Sequence, residues 1–108
     1  MNKATSMSDS MDDLWGSTLL SINVDLQRSR IVLKGEILDS GLRRNYSMKL
    51  IGVSKCGYDN RLLDEWSYIE LTSIEAAQRG ICWAVKMDFW GIAVLEVECL
   101  EIDLEILP

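Results

Sequence analysis

From Leu20 to Gln27 the chain alternates strictly, with Leu20, Ile22, Val24 and Leu26 apolar and Ser21, Asn23, Asp25 and Gln27 polar. A period of two puts successive side chains on opposite faces of an extended chain, so the spacing predicts a strand with four aliphatic groups turned inward. The same rhythm continues in Ile31, Leu33 and Ile37, where Gly35 marks a weak point or bulge. It returns in Tyr46, Met48 and Leu50, in Ile69 and Leu71 within the strand-like run 66–74, and in Ile81, Trp83, Val85 and Met87. Residues 27–30, 39–41 and 88–91 carry turn chemistry between these runs, and the last of them bears Phe89 and Trp90 at its tip.

The final run changes phase. Ala93, Leu95, Val97 and Cys99 are apolar at odd positions, whereas Leu100, Ile102, Leu104 and Ile106 are apolar at even positions. A one-residue slip exchanges the two faces of a strand, so keeping both sets inward requires a β-bulge or bend at Cys99-Leu100. Two segments break the rhythm. Residues 57–65 are expected to form the longest loop, and residues 73–79, short and Ala-rich, fit either one helical turn or an irregular edge. The expected fold is mainly β: about six antiparallel strands in a hairpin meander, forming a partly open barrel or small sandwich with at most one short helical turn. One domain is expected over residues 13–108, behind a flexible leader at 1–12. Trp15 is the first large apolar group able to cover an end of the core.

Composition narrows the chemistry. The 108 residues include no histidine, which removes Ser-His, Cys-His and His-metal mechanisms and the usual near-neutral proton shuttle; the protein is not expected to be an enzyme or to need a cofactor. Cys56, Cys82 and Cys99 lack the close pairing of a zinc or redox site and read as small buried apolar groups in a reducing cytoplasm. No apolar run approaches the ~18 residues of a membrane span.

The net charge of −6 is concentrated at the C-terminus, where Glu96, Glu98, Glu101, Asp103 and Glu105 stand without any Lys or Arg after residue 91. That balance disfavours nucleic acid and anionic lipid and favours a basic protein partner. Glu101, Asp103 and Glu105 are ~7 Å apart along one strand face. A single row of that kind does not converge on a metal ion, but it can serve as a charged edge or as a docking stripe. Tyr58, Asp64, Glu65, Trp66 and Tyr68, together with Trp90, bring aromatic groups beside carboxylates in predicted loops, the composition of a protein-interface hot spot. These nine residues form the candidate partner-binding set.

The stretch Leu14-Trp15-Gly16-Ser17-Thr18-Leu19-Leu20-Ser21-Ile22-Asn23-Val24-Asp25, the segment Leu50-Ile51-Gly52-Val53-Ser54 and the strand Val97-Glu98-Cys99-Leu100-Glu101-Ile102 resemble small bacterial β-rich immunity proteins associated with polymorphic toxins. The likeness spans about residues 14–106 and consists of strand pattern and position. It implies a cytoplasmic inhibitor that occludes the active surface of a toxin. The second reading is a structural or assembly protein acting as a homo-oligomer, with exposed Trp residues paired across a symmetric interface.

Overall fold

The computed structural model describes residues 14, 16–39, 41–61 and 68–107. Among them are nine strands and no helix: β1 (Thr18–Asp25), β2 (Arg30–Asp39), β3 (Leu42–Ile51), β4 (Lys55–Asn60), β5 (Ile69–Glu70), β6 (Ser73–Arg79), β7 (Cys82–Phe89), β8 (Ala93–Cys99) and β9 (Glu101–Ile106). They form two antiparallel sheets, one in the order β5-β1-β2-β3-β9 and the other in the order β4-β8-β7-β6. The fold is a small sandwich and not a closed barrel. The expected meander occurs twice, as β1-β2-β3 and as β6-β7-β8, with β9, β4 and β5 added to the outer strands β3, β8 and β1 by pairings distant in sequence.

The core lies between the sheets. Ile31, Leu33 and Ile37 of β2, Tyr46, Met48 and Leu50 of β3, Val85, Met87 and Phe89 of β7 and Ala93, Leu95, Val97 and Cys99 of β8 are all buried. Burial of each large aliphatic or aromatic group contributes roughly 1.5–3 kcal/mol. Leu14, which the alternation does not mark, is completely buried too, while Trp15 and the leader lie outside the described residues.

The phase change near the C-terminus is a passage between sheets. β8 ends at Cys99 in one sheet and β9 begins at Glu101 in the other, so Ile102 joins the core and Leu100 stays 53% exposed at the bend. The β3–β4 connection crosses beside it: Leu100 N–H donates to Ile51 O at 3.0 Å, and Ser54 N–H donates to Glu98 O at 2.9 Å. Gly52, at φ +69°, lies against Leu100 here.

Several expectations are corrected. The register between β1 and β2 shifts between Leu19 and Ser21, so Leu20 is the extra residue of a β-bulge and points outward. Leu19 takes the buried place, Ile22 packs against the core, Val24 is half exposed and Leu26 lies 83% exposed in the turn. Gly35, opposite Leu19, explains the crowding, because a Cβ there would collide with the Thr18 carbonyl oxygen and come within 2.7 Å of the Tyr46 ring. Ile81 is turned out to solvent in the β6–β7 turn. Residues 57–60 are not a loop but the end of β4, and 73–79 are strand β6, not a helical turn. Of the cysteines read as buried, Cys99 is, Cys82 is partly so and Cys56 is exposed on β4.

Candidate functional site

The β7–β8 turn holds its aromatic tip outward by a set of hydrogen bonds. Trp90 and Gly91 both have left-handed backbones, at φ +59° and +66°. That conformation costs a residue with a Cβ, so the surroundings must hold it. Trp90 N–H donates to Thr72 Oγ1 at 3.0 Å, Thr72 Oγ1–H donates to Asp88 O at 3.0 Å, and Gly91 N–H donates to Asp88 Oδ1 at 2.7 Å. Ile92 N–H closes the turn onto Phe89 O at 3.0 Å. Phe89 is buried beneath, and the Trp90 side chain is left 61% exposed. The sequence placed Trp90 at a turn; its clamp by Thr72, eighteen residues away, has no local signal.

Around this tip stand Ile92, which is exposed, and Arg61, whose N–H donates to Ile92 O at 2.9 Å. Tyr68, 67% exposed, enters β5 four residues before Thr72, ~13 Å of extended chain away. Tyr58 is 47% exposed on β4, on the core-facing side opposite buried Leu95. Asp64, Glu65 and Trp66 lie outside the described residues.

The carboxylates are not one surface. Glu96 and Glu98 belong to β8 and face outward from the four-stranded sheet, opposite Lys86 and Lys55 respectively. Glu101, Asp103 and Glu105 belong to β9 and face outward from the five-stranded sheet. The bend at Leu100 therefore divides the acidic segment between opposite faces of the sandwich. Asp103 is also the direct cross-strand partner of Lys49, and Lys34 and Arg30 lie one strand further in, in the Glu105 and Glu101 rows. Opposite charges at such positions attract across the strand pair, which reduces the outward field of the stripe. β9 and β5 are opposite edges of a five-stranded sheet, so the stripe and Tyr68 are ~19 Å apart in the sheet plane. The structure brings together Trp90, Ile92 and the chain leading from Tyr68, and it separates them from Glu101, Asp103 and Glu105.

Groups with shifted ionisation are internal. Burial holds the Tyr46 phenol above its ordinary value, partly offset by its 3.3 Å hydrogen bond with Ser17 Oγ. Burial likewise pushes the Cys99 thiol up to about 11. Among the described residues no three His, Cys, Asp or Glu side chains gather as metal ligands, and no helix is long and apolar enough to cross a membrane. A groove of about 390 Å³ lies on the outer face of the four-stranded sheet over Gly57, Ala77 and Ala84, walled by charges of both signs, and a larger one of about 640 Å³ lies over Val32, Ser47 and Lys49 of the five-stranded sheet.

No family model matches the chain, and no curated protein matches it. Among solved structures, the crystal structure of an uncharacterized protein from Neisseria gonorrhoeae is similar, with a TM-score of 0.67 over 84% of this chain and 91% of that one. The two are 12% identical, so the likeness establishes a shared fold.

Proposed function

We propose that this chain is a non-catalytic cytoplasmic protein-binding domain of the immunity type, which neutralises a basic toxin by covering its active surface. The observation that carries the reading is Trp90: a large aromatic side chain held out to solvent on a left-handed backbone, fixed by Thr72 and Asp88. A rigid aromatic loses little conformational freedom on docking, and such groups dominate the energetics of protein interfaces. Exposed Ile92 beside the tip supports a contact centred there, with Tyr68, on the chain that leads to Thr72, and Asp64, Glu65 and Trp66 as further contributors. The carboxylates of β9 steer a basic partner from the side and add little at the centre.

Co-expression with any toxin gene found immediately upstream of this chain's own gene tests the reading. Trp90→Ala is expected to weaken the complex by roughly thirtyfold or more and to abolish protection of the host cell, with an unchanged melting temperature. Full protection by the Trp90→Ala variant would overturn the assignment of the surface. Absence of any complex between the wild-type chain and that toxin would overturn the function. The homo-oligomer reading draws on a different feature, the exposed edge of β4.

A further inference from the structure

We propose that a second copy of this chain pairs with the free edge of β4, antiparallel, about a two-fold axis through Gly57. This goes beyond the toxin-binding reading and uses a different surface.

The backbone of β4 sets the pairing. Arg61 N–H bonds to Ile92 O in the register that also aligns Asp59 with Val94, Gly57 with Glu96 and Lys55 with Glu98. Hydrogen-bonded pairs recur at every second residue of an antiparallel ladder, so these odd-numbered residues point their polar groups at β8. Cys56 and Tyr58 consequently point their N–H and C=O groups away from it, along an edge that no described strand covers. All six residues of β4 are exposed.

Side-chain charge favours the register that sets opposite charges face to face. With Gly57 on the axis, Cys56 of each copy meets Tyr58 of the other as a hydrogen-bonded pair, and Lys55 of each meets Asp59 of the other on the outer face. Moving the axis to Tyr58 sets Lys55 against Arg61, and moving it to Asp59 sets that carboxylate against itself. Both alternatives juxtapose like charges. The inner face supplies the apolar part. Cys56 borders a small crevice lined by Val24, Leu26, Ile31 and Val53, and the second copy's Tyr58 arrives beside Cys56 at its mouth. Exposed Val24, Leu26 and Tyr58 would thus be covered together.

The other edges fit less well. β5 has two residues, and self-pairing of β9 about Asp103 opposes Glu101 to Glu105 and Asp103 to itself. β6 can oppose Glu75 to Arg79 about Ala77, but its inner row at that place is Ala76 and Gln78, with no large apolar group in water.

Sedimentation and cysteine cross-linking decide the matter on the full chain. A Cβ at Gly57 meets nothing within 4 Å, so Gly57→Cys is accommodated. At a non-hydrogen-bonded position the two Cα atoms lie about 4.5 Å apart, within the range a disulfide spans. In a Cys56→Ser background, Gly57→Cys is expected to oxidise to a covalent dimer, while Ala77→Cys and the parent remain uncross-linked. Asp59→Lys is expected to weaken the wild-type dimer about tenfold or more, and Lys55→Asp/Asp59→Lys to restore it. A wild-type chain that stays monomeric at high micromolar concentration, cross-linking through Ala77→Cys instead, or a dimer indifferent to Asp59→Lys each overturns the proposal.

Discussion

Gly35 and Cys99 occupy places where one atom decides the outcome. At Gly35 the β1 backbone and the Tyr46 ring both fill the space a Cβ needs. Gly35→Ala must therefore push β1 or Tyr46 off the core, and a loss of about 2 kcal/mol or more in denaturant-unfolding stability is expected. Cys99 is sealed beneath Trp83 and the rest of the core row. Its thiol ionises about two pH units later in the fold than in the unfolded chain, from 9.0 to about 11. A raised acid pKa means that the folded state favours the neutral form. The associated stability is complete below pH 9 and is lost as pH rises from 9 through 11, at most about 2–3 kcal/mol. Unfolding measured at pH 8 and pH 10.5 should show this fall, and Cys99→Ala should reduce it. At pH 8 an alkylating reagent should modify Cys56 quickly and leave Cys99 intact, as mass spectrometry of the native protein will show. Early labelling of Cys99 would contradict its sealed position.

Elements show which parts of this fold their residue types announce. The bend between β8 and β9 was legible because two apolar rows of opposite parity cannot both face inward along a straight strand. β2, β3, β7 and β8, half-covered strands with clean alternation, were legible for the same reason. The bulge at Leu20 was not: an inserted residue that is itself apolar leaves the alternation of Leu20, Ile22, Val24 and Leu26 intact while the inward row gains Leu19. β4 was hidden for the opposite reason. A strand wet on both faces needs no alternation, and Gly57, Asp59 and Asn60 are the residue types of turns. The clustering of Trp90 with Thr72 and the division of the carboxylates depend on pairings between distant segments, which periodicity does not encode. The two side-by-side sheet crossings give a further test. Gly52 has a left-handed backbone, and a Cβ there would come within 2.9 Å of Leu100 Cδ1. Gly52→Ala should cost about 2–3 kcal/mol, combining backbone strain with the Leu100 clash. Leu100→Ala, at a half-exposed site, should cost less than about 1 kcal/mol. The double variant should be more stable than the sum of the two by about 1 kcal/mol, because the clash is removed and the strain at φ +69° remains. Strict additivity would mean that the two crossings do not press on each other.

At the scale of the whole molecule, two local meanders are tied together by distant pairings: β1 with β5, β4 with β8 and β3 with β9. Ile51 pairs with Glu101 and Lys55 with Glu98, so the last strands to leave each sheet close loops of more than forty residues. Closing such loops costs entropy before their contacts are made, and folds dominated by them refold in milliseconds to seconds. The chain's one proline is Pro108, beyond the last strand, so no prolyl bond inside the folded body can delay it. Refolding at 25 °C should therefore be slow for a chain of this length yet free of a phase lasting tens of seconds, and indifferent to a prolyl isomerase. Each three-stranded meander closes only short turns, which orders the events: β7, central to its meander and flanked by near neighbours on both sides, forms early, and β9 docks on β3 late. Val85→Ala should then slow folding, whereas Ile102→Ala, comparable in burial, should chiefly accelerate unfolding. Stopped-flow chevrons of the two variants distinguish this order from its reverse, in which Ile102→Ala slows folding and the β3–β9 pairing is already present at the barrier.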